Sequence, residues 1–157
     1  MTSSARFLLS LSVAVAALSC APAGEPAEAP DPAALHAAVD SLLDDSERCW
    51  NGGDLDGFLY WYKRDERTSF MGSSGPRYGW ETIRSGYAPR FQPGASRDSL
   101  RFDNLETRPL GAKLGLATAR YVLLRGDSIT STGIFTLILE ETSEGWRIVH
   151  DHSNEAP

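Results

Sequence analysis

The chain has 157 residues, of which 41% are hydrophobic and 23% are charged, and these values fit one globular domain with a core of its own. Acidic residues outnumber basic ones by 21 to 15, so the formal net charge is −6 at pH 7 and we expect no nucleic-acid partner. Two Cys and three His give little support for a metal-storage role.

The first 19 residues have the pattern of a secretory signal peptide. Arg6 supplies a short basic start, and an apolar run of about a dozen residues follows from Phe7 to Leu18, whereas a bilayer span needs roughly 20. The run Ala17 to Ser19 before Cys20 resembles the lipobox of bacterial lipoproteins, in which the Cys becomes the acylated first residue. We therefore predict lipidation of Cys20, with plain cleavage at a small-residue site as the alternative.

Residues 20–32 follow as a segment rich in Ala, Pro and Glu, which predicts a disordered tether between the lipid anchor and a folded domain at 33–155. Loss of residues 1–19 removes Arg6 and no acid, which leaves 14 basic and 21 acidic residues and a net charge of −7. We expect export to the bacterial cell envelope, at the periplasmic or outer-membrane face, or secretion if Cys20 is not acylated. If Cys20 is acylated, Cys49 is the only remaining thiol, and a buried structural role is favoured for it.

The first half of the domain predicts three amphipathic helices. Asp31 is placed to cap a helix with Pro32 at its first position, and apolar residues then recur at helical spacing as far as Trp50. Asn51-Gly52-Gly53 ends this helix, and Asp54 caps a short second one. A β segment at Thr68 to Met71 and a Gly/Ser/Pro loop precede a third helix from Trp80 to Phe91.

From Ser99 onward the hydrophobic period changes to two, which indicates strands. Four are predicted: one beginning at Ser99, then Lys113 to Leu124, Thr130 to Glu141 and Trp146 to Ser153. The turns between them are short, so the strands form an antiparallel meander with helices covering one face. This is an α+β architecture.

Several segments, in chain order, resemble the nuclear-transport-factor-2-like superfamily and within it the SnoaL-like and kinase-association-domain-like branches. They are the Trp50 to Leu55 corner between helices, Tyr78 to Ile83 at the start of helix three, Ala117 to Tyr121 in a central strand, and Gly145 to Ser153 in the last strand. The resemblance implies a cone-shaped curved antiparallel sheet, of the cystatin-like type, around three helices. It also implies a mouth that admits a small hydrophobic or amphipathic ligand, and a homodimer through the outer sheet face.

Strand alternation divides the last strand into one set with His150 and His152 and another with Val149, Asp151 and Ser153. The resemblance implies that the second set faces the cavity together with Arg120. Asp151 is then a candidate general base, with Arg120 opposing the effect of burial on its pKa. The alternatives are an inert Arg120–Asp151 ion pair and a carboxylate clamp formed by Arg120.

His152 stays a candidate catalytic base if the opposite face lines the cavity, with Tyr62, Tyr87 or Tyr121 as the hydroxyl partner. Two His two residues apart, without a third ligand, are weak grounds for a metal, so no metal and no cofactor are expected.

We assign a set of apolar and aromatic residues to the pocket wall: Phe58, Tyr62, Tyr87, Phe91, Phe135 and Leu137. Such a wall is typical of a site for a small hydrophobic ligand, whereas the Arg120 clamp would suit a carboxylate ligand. Three functions stay open: a non-catalytic binding domain, a cofactor-independent acid/base enzyme using Asp151 with Arg120, and an oligomerisation or docking module with a filled cone.

Overall fold

The computed structural model describes residues 28–155; the predicted signal peptide, Cys20 and most of the tether lie outside that range. Helix α1 spans Pro32–Gly52 and begins as the sequence predicts, with the Asp31 carboxylate accepting a hydrogen bond from the Ala33 amide at 3.1 Å. Gly53 ends it in the left-handed region at φ 81°. This turn places the short helix α2, Leu55–Phe58, against the end of α1.

Helix α3 spans Trp80–Tyr87 and is shorter than predicted, because the chain tightens into a 3-10 helix at Ala88–Phe91. Pro89 accounts for this, since it has no N–H for a bond to the preceding turn and its ring crowds that turn. Gln92, which precedes Pro93, is already extended.

The sheet has six strands: β1 Ser69–Gly72, β2 Gly75–Tyr78, β3 Ser99–Gly111, β4 Leu114–Arg125, β5 Ser128–Thr142 and β6 Gly145–Glu155. They lie in the order β2-β1-β6-β5-β4-β3. The four long strands form the predicted antiparallel meander. The first β segment, for which no pairing partner was predicted, joins this meander by pairing with β6 in parallel. The predicted loop after β1 instead contains β2, which closes a hairpin with it.

The core lies between α1 and the concave face of the sheet. Leu35, Val39 and Leu42 of α1 are fully buried, and they join inward residues of the central strands such as Ala117 and Leu139 in one apolar cluster. α2 packs against α1, and α3 packs against the β1–β2 end of the sheet. The α+β cone predicted from the sequence is therefore confirmed, and it leaves one apolar space unfilled.

Candidate functional site

A cavity of about 290 Å³ opens at the end of the cone that α1 does not fill. Apolar and aromatic side chains form most of its wall, together with five serines, two arginines and two acidic residues. The wall residues include Trp50, Phe58, Tyr62, Phe70, Tyr87, Phe102, Tyr121, Phe135, Leu137 and Ile148. The volume lies near the lower end of the roughly 300–1,000 Å³ found for small-molecule sites.

Asp151 is the carboxylate at the centre of this wall and is only 5% exposed. Its Oδ2 accepts a hydrogen bond of 2.5 Å from the Tyr62 hydroxyl, and its Oδ1 accepts one of 2.8 Å from the Ser153 hydroxyl. Both partners also line the cavity. Asp151 thus has two neutral donors and, among the described residues, no salt-bridge partner.

Burial raises the pKa of Asp151 above its ordinary value of 3.8, while the hydrogen bonds from Tyr62 and Ser153 work in the opposite direction. Burial also raises the pKa of Tyr62 and of Tyr87 well above the ordinary tyrosine value, and the nearby Asp151 carboxylate adds to both shifts. The two phenols therefore remain protonated donors at neutral pH, next to a carboxyl group that holds its proton more tightly than usual.

Tyr62 reaches Asp151 because the chain after α2 runs beside β6. Ile148 donates its amide to the Trp61 carbonyl at 2.8 Å, and its own carbonyl accepts from the Lys63 amide at 2.9 Å. These bonds fix Tyr62 in a parallel bridge with Ile148. Tyr62 itself lies outside α2, which ends four residues earlier at Phe58.

A β-bulge at Val149 decides which residues of β6 enter the cavity. Leu139 of β5 pairs with Ile148, whereas the preceding Ile138 pairs with His150, so Val149 has no partner on β5. Ile148, Asp151 and Ser153 consequently share the inner face, although strict alternation separates Ile148 from the other two. The expectation that Val149 faces the cavity is therefore wrong, whereas Asp151 and Ser153 lie where the resemblance placed them.

Arg120 does not face the cavity, and this expectation is also wrong. On β4 the buried Ala117 and Ala119 and the cavity residue Tyr121 point inward, so Arg120 points outward and is exposed. It lies beside Asp103 of β3 and Ile134 of β5 on the outer face. Neither the predicted Arg120–Asp151 pair nor a carboxylate clamp by Arg120 is present.

The two histidines of β6 lie outside the cavity. His152 is exposed and does not line the cavity, so it is not placed to act as a catalytic base there. Its position on the outer face agrees with the other expectation, in which Asp151 faces the cavity. His150 is half-buried and its Nδ1 lies 2.8 Å from the Ser69 hydroxyl of β1. Within residues 28–155, no group of three or more His, Cys, Asp or Glu is placed to hold a metal ion.

The aromatic wall contains most of the predicted residues and several that were not assigned to it. Phe91 is the exception among those predicted: it stands behind the wall, with its ring edge-on to Trp50 at a centroid distance of 5.3 Å. Trp50 itself lines the cavity, and so does Phe70. Helical periodicity marks Trp50 as buried but cannot separate the packed core from the rim of an unfilled space.

Two arginines at the mouth, Arg77 and Arg90, are the functional candidates that sequence reasoning missed. Arg77 lies on β2, in the stretch predicted to be a loop, and Arg90 lies in the 3-10 helix. The only available signal was the interleaving of basic residues with Gly, Ser and Pro around the start and end of helix three.

Comparison with known proteins agrees with this geometry. The family model of the SnoaL-like domain matches residues 39–154, most of the chain. The chain belongs to the SnoaL-like domain family. No protein of curated function gives a significant match. Helices in the described part of this SnoaL-like chain are too short or too polar to cross a bilayer.

Solved structures show the same fold. An NTF-2-like protein of unknown function from Shewanella oneidensis is 28% identical, with a TM-score of 0.68 over 75% of this chain and 97% of that one. A DUF3225-family protein of unknown function from Pectobacterium atrosepticum is 25% identical, with a TM-score of 0.61 over 80% and 93%. An NTF2-like superfamily protein from Salmonella enterica, 18% identical with a TM-score of 0.65 over 78% and 92%, shows the fold alone.

Proposed function

We propose that this SnoaL-like domain binds one small amphipathic molecule in the cavity of the cone, with the apolar body of the ligand against the aromatic wall. The observation that carries the proposal is an unfilled apolar space of about 290 Å³ with a single buried carboxyl group, Asp151, on its wall. A domain that served only for docking has no need of such a space, because packing density in protein interiors normally leaves few voids.

Asp151 gives the ligand a polar anchor. Tyr62 and Ser153 occupy one direction at each carboxyl oxygen, and a carboxylate oxygen has a second lone pair available. A hydroxyl or amide N–H on the ligand is the group that fits this position. Such a hydrogen bond would help to orient the ligand in the cavity.

Proton transfer by Asp151 is a second candidate function, and one observation favours it. The carboxyl group is buried, its pKa is raised above the ordinary value, and it accepts a hydrogen bond from a phenol, as a general acid or base in an active site often does. Arg120 is not part of this version of the hypothesis. Turnover lost on Asp151→Asn with ligand affinity retained would distinguish catalysis from binding alone.

Ligand-induced thermal stabilisation tests the binding proposal. A library of small aromatic, steroid-like and carboxylate compounds is screened, because a ligand that binds only the folded chain raises its melting temperature. Leu123→Trp replaces an aliphatic side chain of the cavity wall with a larger indole ring, which takes up space in the cavity. We therefore expect the affinity of every compound that binds the wild type to fall at least about tenfold.

The matched control is Leu124→Trp, one residue along β4 on the opposite face of the sheet and outside the cavity. It should bind as the wild type does. Hits that survive Leu123→Trp, or no hit from the whole library, would contradict binding in the cone.

We propose in addition that the domain works at the cell envelope, anchored by an acylated Cys20. The support is the pattern of residues 1–20 alone. Cys20→Ser should release the protein from the membrane fraction of a bacterial host, and an unchanged distribution would contradict the anchor.

A further inference from the structure

The mouth of the cavity carries two guanidinium groups on the same side. Arg77 and Arg90 both line it, and both lie close enough to Tyr87 to act on its hydroxyl electrostatically. Neither takes part in a salt bridge with another described residue. The wall behind them is largely aromatic, so the positive charge is confined to the rim.

Packing holds Arg77 at this rim. Its Nη2 donates to the Ser74 hydroxyl at 3.0 Å, and its guanidinium carbon lies 5.5 Å from the centre of the Phe70 ring. Gly86 of α3 leaves the space that the guanidinium fills, since a Cβ there would come within 3.1 Å of it. Hydrogen-bonding capacity of Arg77 remains unused after the single bond to Ser74.

Arg90 is exposed and stands over the Tyr87 ring, with 5.9 Å between its guanidinium carbon and the ring centre. Its position follows from the 3-10 helix, which brings residue 90 back over α3. A continuous helix through Phe91 would direct this side chain elsewhere. The tightening at Pro89 therefore contributes a charged group to the mouth.

Within residues 28–155, Glu155 is the acidic residue at the rim. It lies at the end of β6, and its carboxylate accepts a hydrogen bond of 2.9 Å from the Ser131 hydroxyl. Among the described residues, two arginines and one glutamate give the mouth a net charge of +1. Asp151 lies deeper in the wall, and both of its carboxyl oxygens already accept hydrogen bonds from Tyr62 and Ser153.

From this arrangement we infer that the ligand is a monocarboxylate, held at the mouth by Arg77 and Arg90 while its apolar body enters the cavity. This rests on the proposed binding function and names the ligand class for it. A planar guanidinium matches a carboxylate through paired N–H donors, and a single negative charge balances the rim. The aromatic cavity accepts the uncharged part.

Three probes with one apolar body test the inference by titration calorimetry on the purified chain: 4-phenylbutyrate, its neutral amide, and 3-phenylpropyl phosphate. We expect the carboxylate to bind at least about tenfold more tightly than the amide, since charged hydrogen bonds are the stronger ones. The phosphate should not bind more tightly than the carboxylate. Higher affinity for the phosphate, or equal affinity for carboxylate and amide, overturns the inference and leaves cavity binding intact.

Substitutions locate the effect. Arg77→Gln combined with Arg90→Gln should reduce the carboxylate-to-amide ratio to within about twofold while amide affinity is kept, and Arg90→Gln alone should lower the ratio in part. Arg120→Gln, a charge removal on the outer face, should leave the ratio unchanged.

Amide binding also reports whether each variant is folded. A double variant that keeps the wild-type ratio would overturn the role of the mouth. Failure of all three probes to bind the wild type would instead overturn the proposed function, and the inference with it.

Discussion

Asp151 has contacts that favour both of its protonation states. Its surroundings are apolar, which disfavours a charge, yet the Tyr62 and Ser153 hydroxyls both donate to it, which favours one. Burial is the larger effect, so the pKa is raised. A folded protein that holds a proton more tightly than the unfolded chain loses stability as the pH rises.

The sign of this linkage gives a direct prediction for Asp151→Asn. In the wild type, the stabilising contribution of protonated Asp151 is complete below about pH 3.8 and declines as the pH rises through the folded-state pKa. Asn does not titrate. The free energy of unfolding of the variant, minus that of the wild type, should therefore increase from pH 4 to pH 8, as measured by urea denaturation.

Asp98→Asn is the control for this series. The hydroxyl of Thr130 and the guanidinium of Arg125 lower the pKa of Asp98, so its stabilising contribution is lost only as the pH falls below 3.8. The free energy of unfolding of Asp98→Asn, minus that of the wild type, should stay constant above about pH 5. A pH-independent difference for Asp151→Asn would show that Asp151 is ionised throughout.

At the level of single residues, the sequence predicted some positions well and others not at all. Asp151 and Ser153 follow from the resemblance of the last strand, and hydrophobic spacing marks most residues of the aromatic wall as buried without showing that they line a cavity. The position of Arg120 was predicted wrongly, because it depends on the register of β4. A shift of one residue exchanges the two faces of a strand. Arg77 has no periodic signal that could have marked it.

At the level of elements, the Val149 bulge determines the site. Without the extra residue, Ile148 and Asp151 would lie on opposite faces of β6, and the apolar wall and its carboxyl group could not meet. Bulges leave little trace in an alternating pattern, so the sequence predicts the strand but not the change of face. Hairpin β1–β2 was missed in part for a related reason, since its Gly-Pro start is more typical of loops.

Gly133 on β5 is a second element-level requirement. A Cβ at this position would meet the Asn154 carbonyl of β6 and would lie 2.7 Å from the Tyr121 ring of β4. The Asn154 oxygen belongs to the backbone, so β6 itself would have to shift to admit the Cβ. Gly133→Ala should therefore destabilise the protein by about 1–3 kcal/mol or more, measured by urea denaturation.

Gly111 offers the matched comparison, because a Cβ there meets nothing within 4 Å. Gly111→Ala should change stability by less than about 0.5 kcal/mol. Equal effects of the two substitutions would show that the contact of β5 with β6 and Tyr121 is looser than the structure indicates.

For the whole molecule, the two faces of the sheet have different roles. The concave face is covered by helices and encloses the cavity, and this division was predicted from the order of helices and strands along the chain. The outer face carries Arg120 and the large apolar residues Ile129 and Ile134, which are 61% and 64% exposed. Sequence alternation marks this face as the outer one but does not show what covers it.

We propose that a second copy of the chain covers the outer face, as the family resemblance implies. Ile134 lies in the long strand β5 beside Arg120 and is largely exposed. Its side chain contributes to stability only if another apolar surface packs against it and removes it from water. Ile134→Glu should weaken the dimer at least about tenfold, because a buried charge without a partner is costly.

Sedimentation equilibrium measures this dissociation. Tyr78→Glu, an equally exposed site on β2 at one edge of the sheet, should leave the association unchanged. A wild-type chain that sediments as a monomer would remove the proposed dimer. It would leave the cavity proposal standing, because every wall residue named above comes from one chain.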